Sequence, residues 1–212
     1  MTLISPKYHT SFDQKERWGG LLENPLISSL QRNCLDYGRV QGLKKSLQAY
    51  LCKDILDVGC GLAECSIIAQ NRYTGIDNSF RRLHFAKTKY PNHRFLMAQT
   101  KALPFKKNSF ELAMLIDTSH HLSDAEFKET LKELERVSQR YVVISDPILT
   151  PNQSRLSSFF YGLDRGKNFR DQNEIEGILK ESAGLELVEV KPFRTFQRLY
   201  LHAAFILKKR FI

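Results

Sequence analysis

The run Ile55-Leu56-Asp57-Val58-Gly59-Cys60-Gly61-Leu62-Ala63-Glu64 reads as an apolar strand that turns on two glycines and enters a helix near Ala63. Gly59 and Gly61 lack a Cβ, so backbone there can approach a ligand closely and adopt φ angles that other residues resist. The amides at the start of the predicted helix then face whatever lies above the turn. Strand–turn–helix units of this kind serve several ligand-binding folds, and the details separate them. A dinucleotide fingerprint wants a third glycine at position 64, where Glu64 stands. A phosphate-binding loop wants Gly-Lys-Ser/Thr after four spacers, and no such run follows either glycine. Asp57 and Glu64 together would repel a pyrophosphate and suit a cationic ligand. An ordinary structural corner is the plain alternative.

From Asp54 onward strand and helix patterns alternate, which predicts a parallel sheet with helices on both faces. The predicted strands cover 54–58, 72–77, 94–99, 112–117 and 141–146, and the predicted helices 63–70, 79–90 and 124–137. Ser79 and Asp124 are the expected N-caps. Pro91 stops the second of these helices. A further helix is expected over 171–181, then strands over 185–190 and 199–207. Too few residues separate those two strands for a crossover, so they pair antiparallel. Upstream, Pro25 opens an apolar periodic stretch that Gly38 and Gly42 divide into two helices. The first 24 residues are polar, with Trp18 beside Gly19 and Gly20. The chain divides into an N-terminal arm and helices, 1–50, and a ligand-binding domain, 51–212.

In a doubly wound sheet the C-terminal ends of neighbouring strands line one crevice. Four groups fall there. Asp77, followed by Asn78, ends the second strand, where a carboxylate can accept both hydroxyls of a ribose; a solvated turn aspartate is the alternative. Gln99 and Thr100 follow the third strand. Asp117-Thr118-Ser119-His120-His121-Leu122 follows the fourth. A histidine there suits proton removal from a hydroxyl or enol, because its pKa lies near neutrality; a hydrogen-bonded structural histidine is the alternative. Asp146 ends the fifth strand, placed to orient a substrate or to bond loop backbone.

Ile55 to Ala63, Asp77 and this order of strands resemble the class I S-adenosylmethionine-dependent methyltransferases, most of all the small-molecule enzymes of the ubiquinone/menaquinone-biosynthesis type. The resemblance is specific from about Asp54 to Pro147. It implies a Rossmann-like α/β fold: a doubly wound, seven-stranded sheet, mostly parallel with an antiparallel last strand. It implies S-adenosylmethionine as cofactor, with Asp57, Gly59, Cys60 and Gly61 under the methionine part and Asp77 and Asn78 at the ribose. Gln99 and Thr100 fall at the adenine, and Asp117 beside the transferable methyl group. Relatives carry Gly-Asp where Ala98-Gln99 stands, so the Gln99 carbonyl replaces a carboxylate at the adenine amino group. His120, His121 and Asp146 are the candidate catalytic residues. The resemblance also implies that the arm, with Tyr8, His9, Arg17 and Trp18, closes over the site, and that 148–170 faces the acceptor.

The motifs narrow the acceptor. Enzymes of this class that methylate adenine or glutamine amides carry Asn/Asp-Pro-Pro-aromatic after strand four, and the cysteine-nucleophile pyrimidine enzymes carry Pro-Cys; neither motif is present. The expected acceptor is a small molecule or a lipid-like one, consistent with the aromatic run 157–161. With a net charge of +9 the surface attracts anions, so RNA or an anionic membrane surface are further partners to consider. Dinucleotide-dependent redox chemistry and a non-catalytic, partner-stabilising role are the rival readings. Cys34, Cys52, Cys60 and Cys65 show no metal-ligand spacing and read as reduced thiols of a cytoplasmic protein. No apolar run is long enough to span a bilayer.

Overall fold

A computed structural model describes residues 38–50, 52–151, 161, 166–195 and 201–210. The expectations for Tyr8, His9, Arg17, Trp18, the helix opened by Pro25, and most of 157–161 lie outside them. The element order is α1 (Arg39–Ser46), β1 (Asp54–Val58), β2 (Arg72–Asp77), α2 (Phe80–Lys89), β3 (Arg94–Met97), β4 (Phe110–Ile116), α3 (Asp124–Val137), β5 (Ser138–Pro147), α4 (Gln172–Lys180), β6 (Leu185–Arg194) and β7 (Leu201–Lys209). The seven strands lie in the order β3-β2-β1-β4-β5-β7-β6. β1, β2, β3, β4 and β5 pair parallel, while β7 runs antiparallel to both β5 and β6. The order reverses between β1 and β4, and such a switch point opens a crevice at the strands' C-terminal ends.

Strand alternation sends successive residues to opposite faces. Leu56, Val58, Ala113 and Leu115 pack on one face with Phe127, Leu131 and Leu134 of α3 and with Ile175, Ile178 and Leu179 of α4. Ile55, Leu112, Met114 and Ile116 pack on the other with Leu43 of α1 and with Leu83 and Ala86 of α2. Because both faces are covered, the central strands read as nearly unbroken apolar runs.

Several boundaries depart from expectation for local reasons. The helix expected over 63–70 is a short 3-10 turn, Glu64–Ile68. Ala63 precedes it with φ 59, a left-handed backbone, and no side chain caps the turn. Ser123, not Asp124, caps α3: its side chain accepts from Glu126 N–H while Glu126 reaches back to the Ser123 amide. β3 stops at Met97, short of Gln99. β6 runs on to Arg194 and takes in Pro192 and Phe193, which an edge strand permits because proline there need not donate to a ladder. Gly42 does not split a helix but sits inside α1, where a Cβ would lie 2.7 Å from the Phe193 ring. That close approach seats α1 against the sheet edge.

Candidate cofactor site

The glycine turn is built by its neighbours. Gly59 has φ 74, and a Cβ on it would stand 2.5 Å from Thr118 Oγ1. Both constraints leave only glycine at this position. The amides of Gly59 and Cys60 both donate to Ile76 O at 2.8 Å. Gly61 N–H donates to Asp77 Oδ2, and Ser79 N–H to Asp77 Oδ1, each at 2.9 Å. The turn's first three amides are therefore spent on β2, and the Ala63 amide, where the helix was expected to begin, donates to Cys60 O at 2.8 Å. Asp77 braces the loop with one lone pair of each oxygen, and a carboxylate retains further acceptor capacity for hydroxyls.

Above the turn lies a cavity of about 570 Å³. Asp57, Gly59, Cys60, Gly61, Asp77, Asn78, Gln99, Thr100, Asp117 and His121 all line it. The structure thus gathers residues from the ends of β1, β2, β3 and β4. Thr100 turns its hydroxyl to Thr130, 2.8 Å away. The Cys60 side chain lies against Gly75, and burial pushes its thiol well above the usual range, so it contributes shape, not a thiolate.

His120 and Asp146 are not among the lining residues. Asp146 Oδ1 meets His120 Nδ1 at 2.5 Å, while Oδ2 accepts from His120 N–H at 3.0 Å and from the Ser119 hydroxyl. The His120 ring stacks on Phe169 at 4.8 Å between centroids and 7° between planes. Gly166 passes so close that a Cβ there would lie 2.1 Å from His120 Cδ2. Arg170 completes the tie, donating to the carbonyls of Ser119 and Leu122 and through two nitrogens to Asp124 Oδ1.

The sequence reading missed Arg39, Arg82, Lys101 and Glu126, which also line the cavity, and weighed Glu64 only against a pyrophosphate. Arg39 carries no sequence signal beyond being a cation at a helix start. It is 4 % exposed, and its guanidinium donates to Glu64 Oε2 at 2.9 Å and to Asp117 Oδ2. Burial would raise the Asp117 carboxyl, but Arg39 and His202 outweigh it and hold that carboxyl well below the usual range. Asp57 behaves oppositely. Burial pushes its carboxyl up to about 7, although the Tyr73 hydroxyl at 2.6 Å and the charge of Arg39 pull the other way.

Asp57 Oδ1 is buried and has no hydrogen-bond partner, while the buried Asp117 Oδ1 faces His202 Nε2 at 3.4 Å. A carboxylate oxygen left without a partner at a cavity wall suits a ligand that brings cationic N–H groups. A cationic, phosphate-free nucleoside fits this donor set. Among the described residues no group of three or more His, Cys, Asp or Glu is placed to hold a metal ion. Among them too, no helix is long and apolar enough to cross a membrane.

Comparison with known proteins agrees with this geometry. Residues 55–140 match the family model described as a methyltransferase domain. No curated protein matches the chain. Solved structures share the fold at low identity. An S-adenosylmethionine-dependent methyltransferase from Methanosarcina mazei superposes with a TM-score of 0.66 at 19% identity, over 79% of this chain and 98% of its own. Magnesium protoporphyrin IX methyltransferase from Synechocystis, solved with bound S-adenosylhomocysteine, gives 0.64 at 18% identity over 95% of both chains. The [4+2]-cyclase SpnF gives 0.63 at 15% identity, over 81% of this chain and 80% of its own. The chain thus carries a methyltransferase domain over 55–140 and shares its fold with solved S-adenosylmethionine-dependent methyltransferases. The comparisons reach a methyltransferase domain and its fold and not a quinone-directed subtype.

Proposed function

We propose that the protein transfers a methyl group from S-adenosylmethionine to a small-molecule or lipid-like acceptor. The observation that carries this reading is the carboxylate wall of the glycine-turn cavity, where Asp57 Oδ1 is buried without a hydrogen-bond partner and Asp117 lines the same space. When bound, the cofactor supplies a methyl group activated by its sulfonium, open to in-line attack by a nucleophile on the acceptor. Asp57 and Asp117 hold the cationic methionine end. Asp77 accepts the ribose hydroxyls while keeping the glycine turn in place. Asn78, Gln99 and Thr100 border the adenine, where the Gln99 carbonyl accepts from the amino group without charge assistance. Cys60 and the glycines shape the floor. Much of the rate then comes from holding two reactants in line.

The two histidines divide the remaining work. His121 lines the cavity and takes the proton of a hydroxyl or enol acceptor. His120 is held between Asp146 and Phe169 and fixes the loop that carries its neighbour. Calorimetric titration with S-adenosylmethionine and S-adenosylhomocysteine, with NADH as control, tests the cofactor; binding of NADH alone would overturn the reading. A screen of hydroxyl-bearing acceptors with labelled cofactor tests the transfer. His121→Ala is expected to slow transfer at least about tenfold, at the low end of a general base's contribution, without changing cofactor affinity. Loss of cofactor affinity in that variant would remove His121 from the role of base.

A further inference from the structure

The helices on the two faces of the sheet differ in charge. α3 and α4, on one face, hold more aspartate and glutamate than lysine and arginine. α1 and α2, on the other, hold lysine and arginine and no acid. Lys44, Lys45, Arg81, Lys87 and Lys89 are exposed on these two helices, and Arg82 carries the charge up to the cavity that it lines. The 3-10 turn Glu64–Ile68 packs on the same face through Cys65 and Ile68. Its one acid, Glu64, is turned inward to Arg39. Ile67 on that turn is 43 % exposed, and Phe80 at the start of α2 is 41 % exposed. The Phe80 ring stacks on His84, one turn further along α2, so it lies on the outer stripe that continues to Lys87.

A lone exposed isoleucine or phenylalanine is ordinary on a protein surface. Two of them on a face whose helices carry charge of one sign suit a partner that is anionic outside and apolar just beneath. We propose that the α1–α2 face binds the surface of an anionic lipid bilayer, with the lysines and Arg81 at the headgroups and Ile67 and Phe80 below them. The pairs Lys44-Lys45 and Arg81-Arg82 are too short to act as separate tails, and the fold joins them with Lys87 and Lys89 on one side. Each such cation adds to the attraction when it lies within a Debye length of the headgroups. Lysine heads, compact and strongly hydrated, match a diffuse field of headgroups; a bidentate grip on single phosphates would call for arginine. A nucleic acid shares the charge attraction, but it favours rings that stack on bases, and Ile67 offers none. Arg82 sets the cavity at the edge of this face, so a bound protein holds its site beside the membrane. The inference concerns where the protein sits and does not depend on the transfer proposed above.

The test is sedimentation of the full chain with vesicles of phosphatidylcholine alone and of equal parts phosphatidylcholine and phosphatidylglycerol. Binding to the anionic vesicles is expected to be at least about tenfold tighter, since every cation at the surface contributes, and to weaken as salt rises. Lys44→Glu with Arg81→Glu should lower that affinity at least about tenfold. Lys106→Glu with Lys107→Glu makes the same change of net charge in the loop before β4, beside the end of α3, and should leave the affinity within about twofold. Ile67→Ser with Phe80→Ser should weaken vesicle binding at least about threefold and leave binding to a single-stranded RNA unchanged. Thermal unfolding checks that every variant is folded. Wild-type protein that binds both vesicles alike, or neither, overturns the proposal without any variant. Equal losses from the two charge reversals also overturn it, because they trace the attraction to net charge and not to this face. No loss in the Ile67 and Phe80 variant, or RNA bound more tightly than anionic vesicles, overturns the lipid assignment and gives the face to a nucleic acid. Failure to bind S-adenosylmethionine would refute the function proposed above and leave the vesicle result standing.

Discussion

Asp57→Asn is expected to make the ligand-free protein more stable at neutral and alkaline pH while weakening its hold on the cofactor. Burial, the largest influence, raises the Asp57 carboxyl from 3.8 to about 7. The folded protein therefore keeps a proton on Asp57 over a pH range where the unfolded chain has already lost it. Over that window the unfolding free energy falls as pH rises, by about 1.4 kcal/mol per unit, and it levels off above the folded pKa. Across the interval from 3.8 to about 7 the loss comes to about 4 kcal/mol as an order of magnitude. Asparagine does not titrate, and its carbonyl can still accept from the Tyr73 hydroxyl. Urea unfolding of both proteins from about pH 4.5 to about pH 8.5 isolates the contribution, because other groups titrate in both and cancel in the difference. The advantage of the variant should grow by several kcal/mol between about pH 4.5 and about pH 7.5, then stay flat. Cofactor affinity provides an independent reading of the same carboxyl. Ionised Asp57 should decline from about nine-tenths at pH 8 to about one-tenth at pH 6, so wild-type affinity should fall about tenfold. A constant offset between the two unfolding curves from about pH 5 to about pH 8 would show that Asp57 titrates normally, and the argument from its burial would fail.

Gly59→Ala should cost about 2–4 kcal/mol of stability, combining a left-handed backbone with the close approach of Thr118. Adding Thr118→Ala should recover the steric share and not the backbone share, as read by denaturant midpoints; full recovery would show that the φ angle is not limiting. Asp77→Ala removes the acceptor of the Gly61 and Ser79 amides and should weaken cofactor binding by more than about 1.5 kcal/mol. Unchanged affinity on titration would show that the ribose is not held there. Arg170→Met leaves the Leu122 carbonyl without its Arg170 donor, while Ser119 O keeps the Leu122 amide, and should cost about 1–3 kcal/mol. Amide exchange at Leu122 should quicken with it, and unchanged exchange would refute the tie.

The parallel core of the sheet was legible because its strands are nearly continuous apolar runs punctuated by glycine turns, and the antiparallel end because so few residues connect β6 to β7. Boundaries were less legible where two residues compete for one task. Ser123 and Asp124 are both good caps, and the reciprocal bond with Glu126 decides for serine. The apolar run after Ala63 gives no local sign that separates the 3-10 turn Glu64–Ile68 from a regular helix. At the site, residues whose position follows from strand ends were found: Asp57, Asp77, Gln99, Asp117. Arg39 was not, because its partners Glu64 and Asp117 lie 25 and 78 residues away in sequence. A long-range pair of this kind leaves no periodicity to read.

The adjacent histidines show the limit most clearly. Sequence alone treats His120 and His121 as one candidate, since both follow strand four at the crevice. The structure puts them in the 3-10 turn Ser119–His121, with ring centroids 4.2 Å apart. Such a turn advances about 120° per residue, so neighbours leave it on different sides. One points to Asp146 and Phe169 and is buried; the other is exposed and lines the cavity. Their difference is set by residues that sequence cannot place next to them: Asp146, 26 positions along, and the segment from Gly166 to Arg170. If His121 is the base proposed above, a fixed His120 beside it gives the loop the rigidity that in-line transfer requires, because small misplacements of the reacting groups cost rate steeply.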